Sequence, residues 1–330
     1  MRFKFIVPMT TLGVHQSNVV ETCISTDASI FASALLSDSS TTIMSTIPLP
    51  SSLMHADLRY IRTCRYLVAP KNDGERVLIL CGYVAIEGVQ HNYIATLTRD
   101  GRTRIIGHSV VTQSETKVNH GVYDGTLLDA EEMEDGTYIC FDLYAMNGYD
   151  YKRFCLPDRL SAMHSALSHM RSECRATFSC KVFHPATPKN IRVIWNKSID
   201  KNSKCDGIIL APRDMPVVSG RMPYYFKHKP PCKCTVDLMF TGVGFVCSRG
   251  EAVRIQIANG TLKCKTNRVY ECAFQRTEDS EVLLAPVFER LDKRIGNSLY
   301  VYRMTLMNFS EPVTINALCD SIQRAILARV

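Results

Sequence analysis

The stretch YLVAPKNDGERVLIL, residues 66–80, decides the fold. Two runs of aliphatic and β-branched residues flank the polar turn KNDG, a pattern that is typical of two strands joined as a hairpin. Gly74 permits a tight backbone turn between them. Lys71 stands at the entry to that turn, and Arg76 follows it at the start of the second run. The stretch therefore predicts two antiparallel strands with a lysine at their junction.

Apolar runs and turn signals alternate along much of the chain. From about residue 67 to 111 the runs YLVA, VLILCGYVAI, YIATLT and TRIIG are separated by KNDG, EG and RDG. TLLDAEEM and TYICFDLYAMNG add a further pair of strands, and DGIILAP and YYFKHKPPCKCTVDLMF return to strand character later. This pattern predicts antiparallel sheets as the scaffold.

Two segments have the spacing of amphipathic helices. On PDRLSAMHSALSHMRSE the apolar face is Leu160, Met163, Leu167 and Met170. On TINALCDSIQRAIL near the end of the chain it is Ile315, Leu318, Ile322 and Ile326. Residues 16–52 are rich in Ser and Thr and end in IPLPSS, which predicts irregular or peripheral structure. Residues 238–311 consist of short strand-like runs and turns, which predicts a small β-barrel.

Composition narrows the class of protein. The chain has 330 residues, which suggests two domains or one domain with a small appendage. Its net charge of +7 suits polyanionic partners such as nucleotides, RNA or DNA, and an ordinary basic surface is the alternative. Its fourteen cysteines are scattered, with one CxC at Cys232 and Cys234, which predicts free thiols in a reducing, intracellular compartment. The longest apolar run, VLILCGYVAI, is about half of what a membrane crossing requires. We therefore expect no membrane partner.

Acidic and basic residues recur at the ends of the predicted strands. Glu131 lies in LLDAEEM, Asp206 in CDGIIL and Asp237 in TVDL. Lys227 and Lys229 alternate in FKHKP, so both side chains point the same way. Carboxylates and cations in such places are the groups that a site for a nucleoside triphosphate with Mg²⁺ uses. A lysine acts as a nucleophile only where desolvation or neighbouring cations favour the neutral amine.

Taken in order, six blocks resemble the motifs of the covalent nucleotidyltransferases, which comprise mRNA capping guanylyltransferases and the ATP- or NAD-dependent ligases. They are KNDGER, LLDAEEM with FDLYAMNG, CKVF, DGIIL, FKHKPPCKCTVDL and ERLDKRIGN. FKHKP followed by TVDL, and RLDK followed by Asn297, resemble the capping-enzyme forms, closest to the compact guanylyltransferases of large DNA viruses. Three positions depart from the pattern. Ala130 replaces a glycine, Glu75 replaces threonine or isoleucine, and Gly296 replaces proline or alanine.

The resemblance implies an α+β fold of two domains. A nucleotidyltransferase domain, ATP-grasp-like with antiparallel sheets and helices, would span residues 1–237. The C-terminal helix, 312–330, would pack back on it. An OB-fold β-barrel would span residues 238–311 and carry the sixth motif. That motif would reach the nucleotide only when the smaller domain closes over it.

The resemblance also assigns roles to residues. Lys71 would be the catalytic nucleophile. The residues that would bind GTP are Arg76, Arg99, Glu131, Lys181, Phe183, Ile208, Lys227, Lys229, Arg290, Asp292 and Lys293. The carboxylates that would lie near Mg²⁺ or Mn²⁺ are Asp237, Asp206 and Glu131. Phe183 and Ile208 would enclose the purine. The alternative for Phe183 is a ring buried in the core, and the alternative for Glu131 is a structural ion pair.

The implied activity is transfer of GMP from GTP, through a lysyl-GMP intermediate, to the 5′-diphosphate end of RNA to form the GpppN cap. An RNA triphosphatase and a cap methyltransferase would be separate enzymes. One alternative is an ATP-dependent DNA or RNA ligase, which uses the same lysyl-nucleotide chemistry. Another is a catalytically silent nucleic-acid-binding or scaffold protein that keeps the fold.

Overall fold

The structure is a computed structural model of the chain. The residues it describes are 16–36, 47–98, 101–111, 121–170, 174, 176–200, 203–218, 220–258 and 262–329. They fall into two compact units. Unit 1 is Met1–Pro50, Arg65–His184 and Ala211–Tyr225, and unit 2 is Ser51–Cys64, Pro185–Leu210 and Phe226–Val330. The domain bounds predicted from the sequence, 1–237 and 238–311, do not coincide with these units, and they stay a prediction.

The described chain mixes helices with mainly antiparallel strands, which confirms the predicted α+β class. The helices are α1 (Gln16–Leu36), α2 (Leu58–Ile61), α3 (Leu156–Met170), α4 (Pro188–Ile199), α5 (Leu299–Ser310) and α6 (Ile315–Leu327). The strands are β1 (Leu49–Ser52), β2 (Tyr66–Asn72), β3 (Glu75–Ile86), β4 (Val89–Thr98), β5 (Thr103–Val111), β6 (Thr126–Glu132), β7 (Tyr138–Met146), β8 (Tyr149–Asp150), β9 (Phe178–Cys180), β10 (His184–Pro185), β11 (Cys205–Pro212), β12 (Arg221–His228), β13 (Thr235–Phe240), β14 (Phe245–Val246), β15 (Arg268–Arg276) and β16 (Val282–Glu289).

Unit 1 is built on a seven-stranded sheet in the order β5-β4-β3-β6-β7-β8, with β9 paired to β7. The hairpin expected between β2 and β3 is wrong, because β2 belongs to a separate five-stranded sheet. Gly74 lets the chain pass from one sheet to the other, since a Cβ there would lie 2.6 Å from the Glu132 carbonyl oxygen. A turn between two strand-like runs looks the same in sequence whether the strands pair or part. Lys71 therefore lies at the junction of two sheets.

Helices cover both faces of the seven-stranded sheet. On one face, Met163 and Leu167 of α3 pack with Val77 and Ile79 of β3. Alternate residues of the strand point to opposite faces, so Leu78 and its neighbours meet α1 on the other side. The predicted helix at α3 is confirmed, and burial of both faces explains why β3 reads as an unbroken apolar run.

The expectation of irregular structure in residues 16–52 is wrong for α1. Ile24, Ala28 and Ala32 recur every four residues and are buried against the sheet. Asp27 accepts a hydrogen bond from the Tyr93 hydroxyl at 2.7 Å. Val19–Leu36 is also long and apolar enough to cross a membrane by length and composition alone, but its apolar face lies in the protein core. The many Ser and Thr residues concealed this stripe in the sequence.

Unit 2 contains a four-stranded antiparallel sheet in the order β14-β13-β15-β16. Its core joins Leu238 and Phe274 of the sheet to Tyr302 and Phe309 of α5. The sequence predicted only short strands and turns here, and the aromatic and β-branched start of α5 explains the error, because it resembles a strand. The OB-fold itself stays a prediction.

The other helices of unit 2 pack on one another. The terminal helix predicted from the sequence is confirmed as α6, and the Thr314 hydroxyl accepts from Ala317 N at 3.1 Å at its start. It packs against α2 and α4. The start of α4, which the sequence pattern did not predict, is fixed by Thr187 as N-cap and by Pro188 in the first turn.

Candidate active site

Lys71, near the end of β2, lies beside a buried lysine in unit 1. Lys181 is 7 % exposed and donates to Glu131 Oε2 at 3.0 Å. Its ammonium lies 4.8 Å from the centroid of the Phe141 ring. Burial lowers the pKa of Lys181, the charge of Glu131 opposes this, and the positive charge of Lys71 lowers it further. The two lysines are therefore close enough for their charges to interact.

Arg76, at the start of β3, is held by the protein rather than directed at solvent. Its Nε donates to Asp129 Oδ1 at 2.9 Å, Nη2 donates to Asp129 Oδ2, and Nη1 donates to the Pro48 carbonyl at 2.9 Å. The Tyr144 hydroxyl also donates to Asp129, which is fully buried. Burial opposes the charge on Arg76, but the Asp129 carboxylate outweighs it and raises the pKa of Arg76. Arg76 thus ties β3 to β6 beside Lys71.

A second buried pair lies behind the first. Arg159 Nε donates to Asp142 Oδ1 at 2.7 Å and Nη2 donates to Oδ2 at 3.0 Å. Side chains from both pairs, together with Phe183 and Tyr225, line a cavity of about 20 Å³, which is room for one water molecule. In unit 1 the partly buried Phe183 ring thus lines an interior cavity, and its role on a purine stays a prediction.

In unit 2, β11 and β12 bring two of the sequence motifs together. Ile208 pairs with His228 and Ile209 with Lys227. Lys229 forms a salt bridge with Asp206. Gly207 is required here, because a Cβ at this position would lie 2.2 Å from the His228 carbonyl oxygen.

The two faces of β12 differ at the lysine block. His228 stacks on Trp195 of α4 with 4.8 Å between ring centroids. Burial lowers the pKa of His228 to about 4, so the ring is neutral near pH 7. Ile208 is fully buried in the structure, and its contact with a purine stays a prediction. Because neighbouring residues of an extended chain point to opposite sides, the charged side chains of Lys227 and Lys229 lie on one side and the stacked, uncharged ring of His228 lies on the other.

The TVDL and RLDK motifs meet around Asp237. Its Oδ1 accepts from Arg290 Nη1 at 2.8 Å and its Oδ2 from the Lys293 ammonium. Asp292 accepts from the Arg290 guanidinium at 2.9 and 2.7 Å. These hydrogen bonds raise the pKa of Arg290 and lower the pKa of Asp292. Both cations of the sixth motif therefore already contact carboxylates.

The backbone around Asp237 explains one departure from the family pattern. Asn297 N donates to the Asp237 carbonyl at 2.6 Å, and Asn297 Oδ1 accepts from Asp237 N at 2.9 Å. A Cβ on Gly296 would lie 3.0 Å from the same carbonyl oxygen. Glycine at this position permits the close approach of the loop to β13.

The three carboxylates predicted near a metal are all paired with cations. Glu131 contacts Lys181, Asp206 contacts Lys229, and Asp237 contacts Arg290 and Lys293. Within the described residues, no group of three or more His, Cys, Asp or Glu side chains is placed to hold a metal ion. The hard oxygen donors fit a Mg²⁺ ion that takes one protein carboxylate and completes its shell with phosphate and water.

Sequence reasoning missed two residues of this site and named one that cannot be placed. Asp129 and Tyr144 hold Arg76, and Asp129 lies two residues before Glu131 on β6, hence on the same face of the strand. That spacing within LLDAEEM could have revealed it. Arg99 lies outside the described residues.

Comparison with known proteins identifies the family of this chain. The chain matches the family of the mRNA capping enzyme catalytic domain over residues 21–231, more than half of its length. Among solved structures, the ATP-dependent DNA ligase from bacteriophage T7 in complex with ATP is 13 % identical, with a TM-score of 0.40, covering 74 % of this chain and 99 % of the ligase. A Lig E DNA ligase, from a study of DNA binding with a minimal scaffold, is 12 % identical with a TM-score of 0.38 over 74 % of this chain and 99 % of its own. The resemblance read from the motifs is confirmed by the family match, and the chain therefore belongs to the mRNA capping enzyme catalytic domain family, a family of covalent nucleotidyltransferases.

Proposed function

We propose that this protein is an mRNA guanylyltransferase that moves GMP from GTP to the 5′-diphosphate end of RNA through a covalent bond to Lys71. The observation that carries the proposal is the placement of Lys71 beside the buried Lys181–Glu131 pair in a chain of the capping enzyme family. The positive charge of Lys181 would attract the triphosphate of GTP towards Lys71, whose amine is the nucleophile in this proposal.

In the first step, the Lys71 amine attacks the α-phosphorus of GTP. An N–P bond forms, the bond from the α-phosphorus to the bridging oxygen breaks, and pyrophosphate leaves with the bonding electrons. The amine loses a proton to solvent. Because a phosphoramidate retains a large free energy of hydrolysis, the GMP group can be passed on to a second acceptor.

In the second step, a terminal phosphate oxygen of diphosphate-ended RNA attacks the α-phosphorus of lysyl-GMP. The N–P bond breaks, Lys71 takes up a proton, and a 5′–5′ triphosphate bridge results. This acceptor requires that a separate phosphatase first remove the γ-phosphate of the transcript. A cap methyltransferase would act on the product.

Arg76 and Asp129 have a supporting role in this proposal. Their bidentate contact fixes the start of β3, which follows Lys71 after the turn at Gly74. Glu131 fixes the ammonium of Lys181 near Lys71. A divalent metal ion, when bound, would neutralise charge on the triphosphate. Glu131 or Asp206 would give a carboxylate oxygen to that ion, whereas both oxygens of Asp237 contact cations.

Incubation with α-³²P-labelled GTP and Mg²⁺ tests the proposal. We expect acid-labile label on the protein, released as capped RNA when diphosphate-ended RNA is added. Lys71→Ala should remove the label completely, and Lys152→Ala, a lysine that caps α1 through the carbonyls of Leu35 and Leu36, is the control that should retain it. Label that persists in Lys71→Ala would refute the assignment. Preferential labelling by ATP would indicate a ligase instead.

A further inference from the structure

The packed helices α2, α4 and α6 of unit 2 carry an uneven distribution of charge. Their exposed basic side chains, with the residue that ends α2, are Arg59, Arg62, Lys189, Arg192, Lys197 and Arg324. The acidic residues, counted in the same way, are Asp320 on α6, Asp57 at the start of α2 and Asp200 at the end of α4. We call the six side chains the basic face.

The charges of the basic face are not neutralised by the described part of the chain. Arg192 donates to the Asn316 amide oxygen at 2.8 Å and Arg59 donates to the Tyr60 hydroxyl at 2.6 Å, and both acceptors are uncharged. None of the six forms a salt bridge with a described carboxylate. Exposed arginines elsewhere do, as in Arg268 with Glu289. Six cations against three carboxylates give these helices a net positive charge, which attracts polyanions.

One helix of the basic face packs against one of the sequence motifs. Trp195 of α4 stacks on His228 of β12. The chain neighbours of His228 are Lys227 and Lys229, which the resemblance assigns to the α-phosphate. The helix that carries three of the six cations thus packs on the His228 side of this strand, and the side chains of Lys227 and Lys229 lie on its other side.

We propose that the basic face binds the body of the RNA whose 5′ end receives GMP. This inference rests on the proposed function. Lys and Arg side chains contact the phosphates of a single strand without reading its sequence, which suits an enzyme that must accept many transcripts. An acidic protein segment is the competing occupant. RNA is favoured because the cations adjoin a phosphate-handling motif in a chain of an mRNA-processing family.

A charge-reversal variant isolates this surface. Lys189→Glu, Lys197→Glu and Arg324→Glu change three exposed side chains that make no hydrogen bond or salt bridge with described residues. The corresponding glutamine substitutions provide a second variant for the case that the first one folds poorly. The matched control is Arg254→Glu, Lys263→Glu and Lys265→Glu, three exposed cations of unit 2 outside these helices, which changes the net charge equally.

Two half-reactions separate this proposal from the proposed function. Formation of labelled lysyl-GMP from GTP should be unchanged in every variant. Transfer to a diphosphate-ended RNA of 25 nucleotides should show a KM about tenfold higher in the charge-reversal variant at low salt, with kcat unchanged, whereas transfer to a 5-nucleotide RNA should not change. The slope of log K against log salt should become less steep by about 2, because each single-strand phosphate contact contributes roughly 0.7.

Direct binding decides the matter even if no lysyl-GMP forms. Trp195 is the only tryptophan in the chain, so its emission should respond to the 25-nucleotide RNA in the wild type and control and much less in the charge-reversal variant. Equal RNA affinity and equal KM in the variant and the control would overturn the proposal. Loss of binding to a poly-glutamate peptide with RNA binding intact would also overturn it and would identify an acidic protein as the occupant.

Discussion

The Arg76–Asp129 pair of unit 1 and the Arg290–Asp292 pair of unit 2 have the same bidentate geometry in different surroundings. The carboxylate of Asp129 is fully buried, whereas the side chain of Asp292 is 54 % exposed. A buried pair contributes little when intact but costs several kcal/mol when one partner is removed, while an exposed pair contributes little in either case. The two arginines are about equally exposed, at 20 % and 21 %, so the difference lies in their carboxylates. We therefore expect Arg76 to keep Asp129 permanently and Arg290 to exchange Asp292 for phosphate more readily.

Removing a buried carboxylate is the strongest test of this difference. Asp129→Ala should lower the free energy of unfolding by about 3–5 kcal/mol, because it leaves the Arg76 guanidinium without its anion in the interior. The measurement is the urea midpoint. Asp214→Ala is the matched control, since Arg65 contacts Asp214 in the same bidentate way at 2.7 and 2.9 Å but at the surface. It should cost less than about 1 kcal/mol, and equal losses for the two variants would contradict the comparison.

Low pH should lower the stability of unit 2 through His228, which is buried in its neutral form. His228 has a folded-state pKa of about 4, below the value of about 6.5 expected when unfolded. The unfolded chain therefore binds more protons between these values, and stability falls by up to about 3 kcal/mol as the pH drops through this window. Trp195 emission should follow the transition. The decrease should be smaller in His228→Gln than in wild type, and an identical pH profile would exclude His228 as the cause.

The next largest loss of stability is expected at Gly207, which lies close to the backbone carbonyl of His228. Gly207→Ala should cost about 2–3 kcal/mol, because the new methyl group would lie 2.2 Å from the His228 carbonyl at a φ of +152°. Gly88→Ala is the control, with a φ of +81° but no atom within 4 Å, and should cost about 1 kcal/mol through its backbone conformation alone. Thermal unfolding of both variants would measure the difference.

The smallest loss of stability is expected from substitution of Asp237, which contacts Arg290 and Lys293. Asp237 is buried, but Asp237→Asn keeps the shape of the side chain and leaves Glu271 and Asp292 in contact with Arg290, so it should cost only about 1–2 kcal/mol. Since both oxygens of Asp237 contact cations, we expect labelling to need more GTP but no more Mg²⁺. Titration of each in the lysyl-GMP assay measures this. A higher Mg²⁺ requirement at unchanged GTP requirement would instead identify Asp237 as a metal ligand.

Local sequence patterns correctly predicted the strands and helices whose formation depends on residues close together in the chain. Strands β3–β7 follow from apolar runs between glycine turns, and α3 and α6 from their apolar spacing. The pairing of β2 was wrong because a turn does not reveal which sheet the next strand enters. The helix α1 was missed because its buried stripe consists partly of alanines among Ser and Thr, and only the sheet it covers gives that stripe its meaning.

The candidate site shows the same limit. The motifs named Lys71, Glu131 and Lys181, which the structure brings together in unit 1. Asp129 was overlooked, since its importance depends on an arginine 53 residues away in the chain. Likewise, the pairing of Asp237 with Arg290 joins two motifs that no local pattern connects. Long-range ion pairs follow from the fold rather than from the spacing of residues.

The way in which α1 covers the sheet has a practical consequence for anyone who shortens this protein. A chain that begins just before β1 would retain every motif residue. It would nevertheless expose to solvent the sheet face that Ile24, Ala28 and Ala32 now cover, and the Tyr93 hydroxyl would lose its acceptor on Asp27. Such a truncated protein should aggregate on expression or be trapped by chaperones. A lack of labelling in it would then report insolubility and say nothing about the chemistry of Lys71.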